Sequence, residues 1–587
     1  VPEANLPGVL QYIVSDVTSR SAIDGLVQIA LRNFPINKSL QASALESKFE
    51  SLMQRLSESS SEETRWKTAY FYGRLNDSAL NLEHLDIIQS LLNDQGEPLA
   101  RMFAASALSR IHNLQAQNIL TRAFRSEREW RVRVNILNAL MRAVEVDSTL
   151  LGTLKGAIVS ADNENSGSLH VAIAAWAVLE DAVAKKKVDP ADTSDLVQWL
   201  TSLSPARELY PQMPNGHRAR ALPVLAHFGH SEPLHDFVLE MNTIRERQVR
   251  EQTLRAIGIY EDTLGFVSIL QSLVIAEPST QLPYLTALGE LWARAKKTPW
   301  LMQTLETKRY ANAYRRMLIR MPSLNDDPAV VATVLELLKD STVIHNDEFR
   351  NEAKSYLASY LYKYMGPSYE DQLASTISAI KWLGESTDSI RQGLTAVGAM
   401  AIQNRMKALT DSASVTLVKL TGRQPTFSVK TQPRPKIDWA KLESTSDTVL
   451  ISTDKGLMYL KLYKYEAPLT SLNFIDLAKI SYFANNVFHR VVPNFVIQAG
   501  DRTQTGYGGP GYSIRREVAP VRFSKAGVVG MASSGKDTEG SQWFITHLPT
   551  PHLDTRYTVF GEIVIGNEVI DLVHQYDKIS NIFQQAW

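Results

Sequence analysis

Two kinds of hydrophobic spacing divide the chain. Up to about residue 420, apolar residues recur three and four apart, the spacing of one helix face; Trp130, Val134, Leu137 and Met141 make one such stripe. The stripes repeat. Ala100-Arg101 is followed by Ala105, Ala107 and Leu108, and Val132-Arg133 by Leu137, Ala139 and Leu140 at the same offsets. Val249-Arg250 is followed in the same way by Leu254, Ala256 and Ile257. His217-Arg218 with Leu222, Val224 and Leu225 is a looser copy, and Thr64-Arg65 with Ala69 opens a weaker one. Helix pairs of this kind cannot bury their apolar faces alone, so they are expected to stack into a solenoid. Small residues such as Ala105 and Ala139 let the next helix approach closely. The recurring arginines read as structural, and this stretch holds no H-E-x-x-H or G-x-S-x-G spacing.

The spacing changes after a break. Gly422 to Lys436 carries Gly422, Pro425, Pro433 and Pro435 among basic residues, which disfavours helix and favours extended chain. A linker is expected over 422–446. From Thr448 the chain reads as short strands: a hairpin of Val449–Ile451 and Leu457–Tyr463 around Asp454-Lys455-Gly456, then Phe488–Val492 and Phe495–Ala499 around Pro493-Asn494. Val528–Met531, Gln542–His547 and Thr558–Ile565 supply further strands. Helices are expected from Pro468, with Leu472, Ile475 and Leu477, and over Asn567–Tyr576. Many short strands with two helices point to a closed antiparallel barrel, which has no exposed edge.

Composition narrows the chemistry. The chain has 587 residues, with 62 Lys plus Arg against 62 Asp plus Glu, so charge gives no reason to propose nucleic acid or anionic membrane as a partner. There is no cysteine, which removes disulfides, thiolate metal sites and cysteine nucleophiles, and leaves the compartment open. No apolar run approaches the roughly 18 residues that span a bilayer; Val171–Leu179 comes nearest, so no transmembrane segment is expected. The start at Val1, followed by a polar stretch, suggests a trimmed chain whose leader is out of view.

Two nucleotide motifs fail on inspection. Gly506–Gly511 satisfies G-x-G-x-x-G, but Pro510 lies inside it and Tyr512-Ser513-Ile514 reads as extended chain. Gly530-x4-Gly535-Lys536 places Asp537 where a hydroxyl should hold magnesium. His489, His547 and His552 lack a ligand pattern for a metal. No cofactor is expected.

There remains the string Phe488-His489-Arg490-Val491-Val492-Pro493-Asn494-Phe495-Val496-Ile497-Gln498-Ala499-Gly500-Asp501. Gly530-Met531-Ala532, Gly540–Thr546 and His552–Gly561 come after it. These motifs, in this order, closely resemble the cyclophilin signature and cover nearly all of 447–587. The arginine-marked helix pairs of 1–421 resemble HEAT-type repeats in the short form common in bacterial proteins. The resemblance implies a peptidyl-prolyl cis-trans isomerase fused to a HEAT-like solenoid that holds clients or a protein partner, in protein folding or chaperone work. Similar fused proteins resemble bacterial exported ones, so the periplasm or cell envelope is expected.

X–Pro bonds populate both isomers, about 0.5–1 kcal/mol apart, but exchange across a barrier of ~18–20 kcal/mol. A catalyst must favour the twisted state, in which the proline nitrogen regains its lone pair and can accept a hydrogen bond. A permanently charged donor in a partly dry pocket does this. By resemblance Arg490 is that donor, with Gln498 holding it and the substrate carbonyl. Phe495, Val496, Phe544 and Leu553 would grip the proline ring, the backbone at Ser533 would anchor the preceding residue, and Gln542 and Ser534 would border the adjoining pocket. His552 stands where many eukaryotic members have Trp and Tyr557 where they have His, both beside bound substrate; Ser533, Ser534 and Trp543 depart too. The His552 exchange puts cyclosporin binding in doubt. The other reading, a binding scaffold whose barrel only clasps proline segments, is disfavoured by the intact Arg490, Phe495, Gln498 and Phe544. Every residue the chemistry requires lies in the last segment, so the solenoid is expected to matter only for protein-sized substrates.

Overall fold

The computed structural model describes residues 6–584 except 17–18, 33, 35, 97, 162–165, 204–212, 214, 230–245, 261–262, 277–279, 405 and 426–436. The chain divides into two compact units, Val1–His230 and Ser231–Trp587.

The first unit is helical. Arg65, Arg101 and Arg133 each sit one turn into their helices, Glu62–Arg74, Pro98–Leu108 and Trp130–Leu140. Arg65 pairs with Asp94, and Arg101 Nε donates to Glu127 at 2.8 Å while its Nη1 reaches the Asp94 carbonyl at 2.9 Å. Arg133 lies 4.5 Å from the Phe124 ring centroid. The first two arginines thus tie their helices to inter-helix turns, a structural task. A Cβ on Gly73 would stand 3.0 Å from the Phe103 carbonyl, so the first two of these helices cross almost backbone to backbone. Helix Ser166–Ala184 is long and apolar enough to cross a membrane by length and composition. Most of its apolar window is buried, with Val171, Trp176 and Leu179 in the core, as in the interior helix of a helical stack.

The second unit opens with more helices, Arg247–Ile259 through Lys407–Thr421, around one continuous core that includes Leu285, Tyr314, Leu357, Ile377 and Leu394. Gly422, at a φ of 69°, ends the last of them. Pro433 and Pro435 of the expected linker lie outside the described residues. Within 422–446 a short helix, Trp439–Ser444, is tied to the strand region by a lysine: Lys464 Nζ donates to the carbonyls of Leu442 at 3.1 Å and Thr445 at 2.7 Å.

The sheet has nine strands: β1 Thr448–Thr453, β2 Gly456–Leu462, β3 Asn486–Val487, β4 Arg490–Val492, β5 Val496–Ala499, β6 Val528–Met531, β7 Trp543–Thr546, β8 Val559–Ile565 and β9 Lys578–Gln584. They pair antiparallel in the order β3-β9-β1-β2-β8-β6-β7-β5-β4. The alternate residues Val449, Ile451, Met458 and Leu460 pack with Phe474, Trp543 and Phe560 into its core. Among the described residues no ladder joins the two ends of this order, so closure by strand pairing is not seen. The end strands β3 and β4 are successive pieces of chain with only Phe488 and His489 between them. A residue spans at most about 3.6 Å, so the three steps from Val487 to Arg490 bring the ends of the curled sheet to about 11 Å or less. Phe488–Val492, expected as one strand, is therefore broken at that point.

Helix Pro468–Lys479 is capped from a distance. Its first N–H groups, of Leu469 and Thr470, donate to the buried Glu517 carboxylate at 3.2 and 2.9 Å. The closing helix, expected to reach Tyr576, stops at Leu572. The His574 N–H turns instead to the Asp577 carboxylate at 2.6 Å, Tyr576 takes a φ of 75°, and the chain enters β9, a strand the spacing does not announce.

Candidate active site

The site grows from the β4–β5 hairpin. Phe495 N–H donates to the Val492 carbonyl at 3.0 Å, and Asn494 between them has a φ of 63°. Proline then asparagine is the pair such a turn prefers, since Pro493 presets its backbone angle and Asn494 tolerates the left-handed region. The register this turn sets places Arg490 opposite Gln498. Gln498 in turn faces Phe544 on β7, and Phe544 faces Gly530 on β6. Directly paired residues share a sheet face, so four strands present Arg490, Gln498, Phe544 and Gly530 in one row. Gly530 has a reason to be glycine. A Cβ there would stand 2.6 Å from Phe544 Cζ and 2.8 Å from Phe523 Cζ, so its bare backbone makes room for both rings.

Over this row lies a pocket of about 200 Å³ lined by Arg490, Phe495, Val496, Gln498, Ala532, Ser533, Phe544, Leu553 and Tyr557. Its floor is a separate apolar cluster in which Val496, Phe523, Val528, Phe544, Leu553 and Val559 are buried. Phe523 stacks behind Phe544 at 5.5 Å and Tyr557 meets Phe544 edge-on at 5.7 Å. Arg490 is exposed at the lip. Its Nη1 donates to Gln498 Oε1 at 3.3 Å, and its guanidinium carbon is 5.7 Å from the Phe495 centroid. Gln498 Nε2 donates onward to Gln542 Oε1 at 2.9 Å. Burial, opposed by the charge of Asp501, holds the imidazole of the neighbouring His489 below its usual range.

Of the residues expected at the site, Arg490, Gln498, Phe495, Val496, Phe544, Leu553, Ser533 and Tyr557 share the pocket wall. His552 lies at the rim, stacked on Phe495 at 5.4 Å and 21°. Gln542 and Ser534 stand beside the pocket and not in its wall; Ser534 is exposed and donates to Thr538 at 3.3 Å. Ala532 belongs to a sequence motif that assigns it no role, yet it lines the pocket. Phe523 has no motif to mark it, and it reaches the site from behind, through its stack on Phe544 and the floor cluster. Among the described residues no group of three or more His, Asp or Glu side chains is placed to hold a metal ion.

The arrangement is an apolar slot with a fixed cation at its lip. It suits a small apolar ring beside a carbonyl, and a change of conformation needs no nucleophile at the reacting bond. Residues 448–584 match the family described as cyclophilin type peptidyl-prolyl cis-trans isomerase/CLD, and residues 49–141 match HEAT repeats. Over 126 residues the chain is 44% identical to peptidyl-prolyl cis-trans isomerase-like 1 of Aspergillus fumigatus, covering 21% of this chain and 78% of the relative. It is 42% identical over 131 residues to peptidyl-prolyl cis-trans isomerase-like 2 of Cryptococcus neoformans, covering 21% of this chain but 23% of that protein. A crystal structure of a Cryptosporidium parvum cyclophilin-type isomerase is 30% identical, with a TM-score of 0.23, covering 24% of this chain and 99% of that one. The family match and the sequence relatives define the class as a proline isomerase. The chain belongs to the cyclophilin-type peptidyl-prolyl cis-trans isomerases and carries HEAT repeats in its helical part.

Proposed function

We propose that Arg490 is the group that accelerates X–Pro rotation, and that the substrates are proline-containing segments of protein clients. One observation carries this reading: the Arg490 guanidinium is tethered to Gln498 at the lip of a pocket floored by Phe544 and Leu553 and walled by Phe495. The proline ring sits in the slot, and its nitrogen faces the guanidinium. As the peptide bond twists, the lone pair on that nitrogen localises and accepts the donor's hydrogen bond. Gln498 holds the donor and the substrate carbonyl, the backbone at Ser533 anchors the preceding residue, and Gln542 and Ser534 border the next subsite. Closure of the curled sheet into a barrel fits the nearness of β3 and β4 along the chain.

The helical repeats would supply a second contact for protein clients or for a partner, which suits protein folding or chaperone work. The two sequence relatives named above, from Aspergillus and Cryptococcus, are fungal, so a bacterial origin and a periplasmic or envelope location rest on the fused arrangement alone. The test is to compare the full chain on an Ala-Pro tetrapeptide and on a refolding protein limited by a proline step. Higher catalytic efficiency on the refolding protein supports client capture by the helices. Equal efficiency on both contradicts it.

A further inference from the structure

Arg490 is supported from two sides, and both supports lead to one side chain far earlier in the chain. The first support is its side-chain relay. Gln498 holds Arg490, Gln542 holds Gln498, and Gln542 Nε2 donates to the carbonyls of Gly506 and Gly508, each at 2.9 Å. Those carbonyls belong to a turn gathered around buried Asp501, which accepts from the N–H groups of Thr503, Thr505 and Gly506 at 2.7, 2.9 and 2.6 Å. Gln504 sits in that turn with a φ of 61° and accepts from Arg247 Nη1 at 3.4 Å.

The second support is its backbone. The carbonyl of Phe488 accepts from Tyr576 N–H at 2.9 Å, and that of His489 accepts from Gln575 Nε2 at 3.0 Å. Tyr576 takes a φ of 75°, a region bulky side chains avoid unless their surroundings hold them there. Here the surroundings are again Arg247, whose guanidinium carbon lies 3.8 Å from the Tyr576 ring centroid. The Tyr576 hydroxyl donates to Glu251 Oε1 at 3.2 Å, and the same oxygen takes Arg247 Nε at 2.9 Å. Arg247 and Glu251 stand one turn apart on helix Arg247–Ile259, outside the sheet.

We propose that Arg247 is a positioning residue for the isomerase site, bracing the Gln504 turn and the Tyr576 corner so that Arg490 is held in one orientation. This rests on the role proposed for Arg490. It also revises the expected division of labour, because the helices then matter even for a substrate too short to touch them. The slot that grips the ground state does not depend on this brace, so losing Arg247 lowers kcat and leaves KM nearly unchanged.

The experiment uses the full chain on an Ala-Pro tetrapeptide, with thermal midpoints recorded for every variant. Arg247→Ala is expected to lower kcat about threefold to tenfold. Arg247→Lys keeps a cation over Tyr576 but loses the fork to Gln504, and should fall between. Gln504→Ala lowers kcat as well, and the double variant loses less than the product of the two single losses, because both act on one path. Wild-type kcat in a folded Arg247→Ala variant overturns the proposal, as does a double variant that loses the full product. Arg490→Ala in the same series separates the two ideas. If it is inactive while Arg247→Ala is normal, only the brace is wrong; if Arg490→Ala is fully active, the site reading falls and takes the brace with it.

Discussion

The His552 imidazole lies stacked on Phe495, ring centroids 5.4 Å apart and 21° from parallel, so it backs that wall residue from the rim of the pocket. An indole at that place would offer more flat apolar area and an N–H donor directed differently. Weak inhibition by cyclosporin is expected for the natural chain. His552→Trp should tighten binding by ~0.5–1.5 kcal/mol, the scale of an aromatic contact. Calorimetric titration checks this, and tight binding by the unmodified protein contradicts it.

Gly530→Ala tests the floor. The added methyl would press on Phe544 and Phe523 at 2.6 and 2.8 Å, and neither ring is a flexible end that can swing away. Overpacking of this kind costs roughly 1–3 kcal/mol of stability. KM on a proline peptide should rise as Phe544 is displaced into the slot. A variant with unchanged melting and KM would show that the floor is softer than this packing implies.

Glu539 gives the sheet a pH dependence. Burial pushes its carboxyl up to about 8, aided by the nearby charge of Glu517 and opposed by the hydrogen bonds from Thr558, whose hydroxyl lies 2.8 and 2.9 Å from the two oxygens. The folded value is thus above the unfolded one of 4.5. The folded chain keeps a proton that the unfolded chain has released, so this contribution to stability is complete below about 4.5. It declines as pH rises and is gone above about 8, with a slope of at most roughly 1.4 kcal/mol per pH unit. Glu539→Gln should remove that slope. Melting curves of both proteins from pH 5 to 9 decide it: parallel lines contradict the assignment.

How much of the molecule is legible in its sequence depends on where the signals sit. Arg490, Phe495 and Gln498 fall within one short string, and strand alternation with the Pro493-Asn494 turn is enough to bring them together. β9 is hidden by a bulge. Its register against β1 jumps from Ser452 opposite Asn581 to Thr453 opposite Ile579, so the buried Ile579 and Ile582 stand three apart, as on a helix. The alternation that marks a strand is missing there, and the segment before it reads as a longer helix. Phe523, Asp501's turn and Arg247 act through contacts between residues far apart in the chain, and no local spacing records them. Arg65 and Arg101 of the repeats are legible as structural because their partners, Asp94 and Glu127, lie in turns of the same helical stack.

The proposed chemistry runs through a single charged donor, the Arg490 guanidinium. The most direct test is the isomerisation rate of an Ala-Pro peptide, measured by exchange spectroscopy, with the natural chain and with Arg490→Ala at equal concentration. Loss of one preorganised donor to a transition state costs about 2.7–4 kcal/mol, so kcat should fall by ~10²–10³ while the folded signature persists. Near-normal turnover by a folded Arg490→Ala protein would contradict the account.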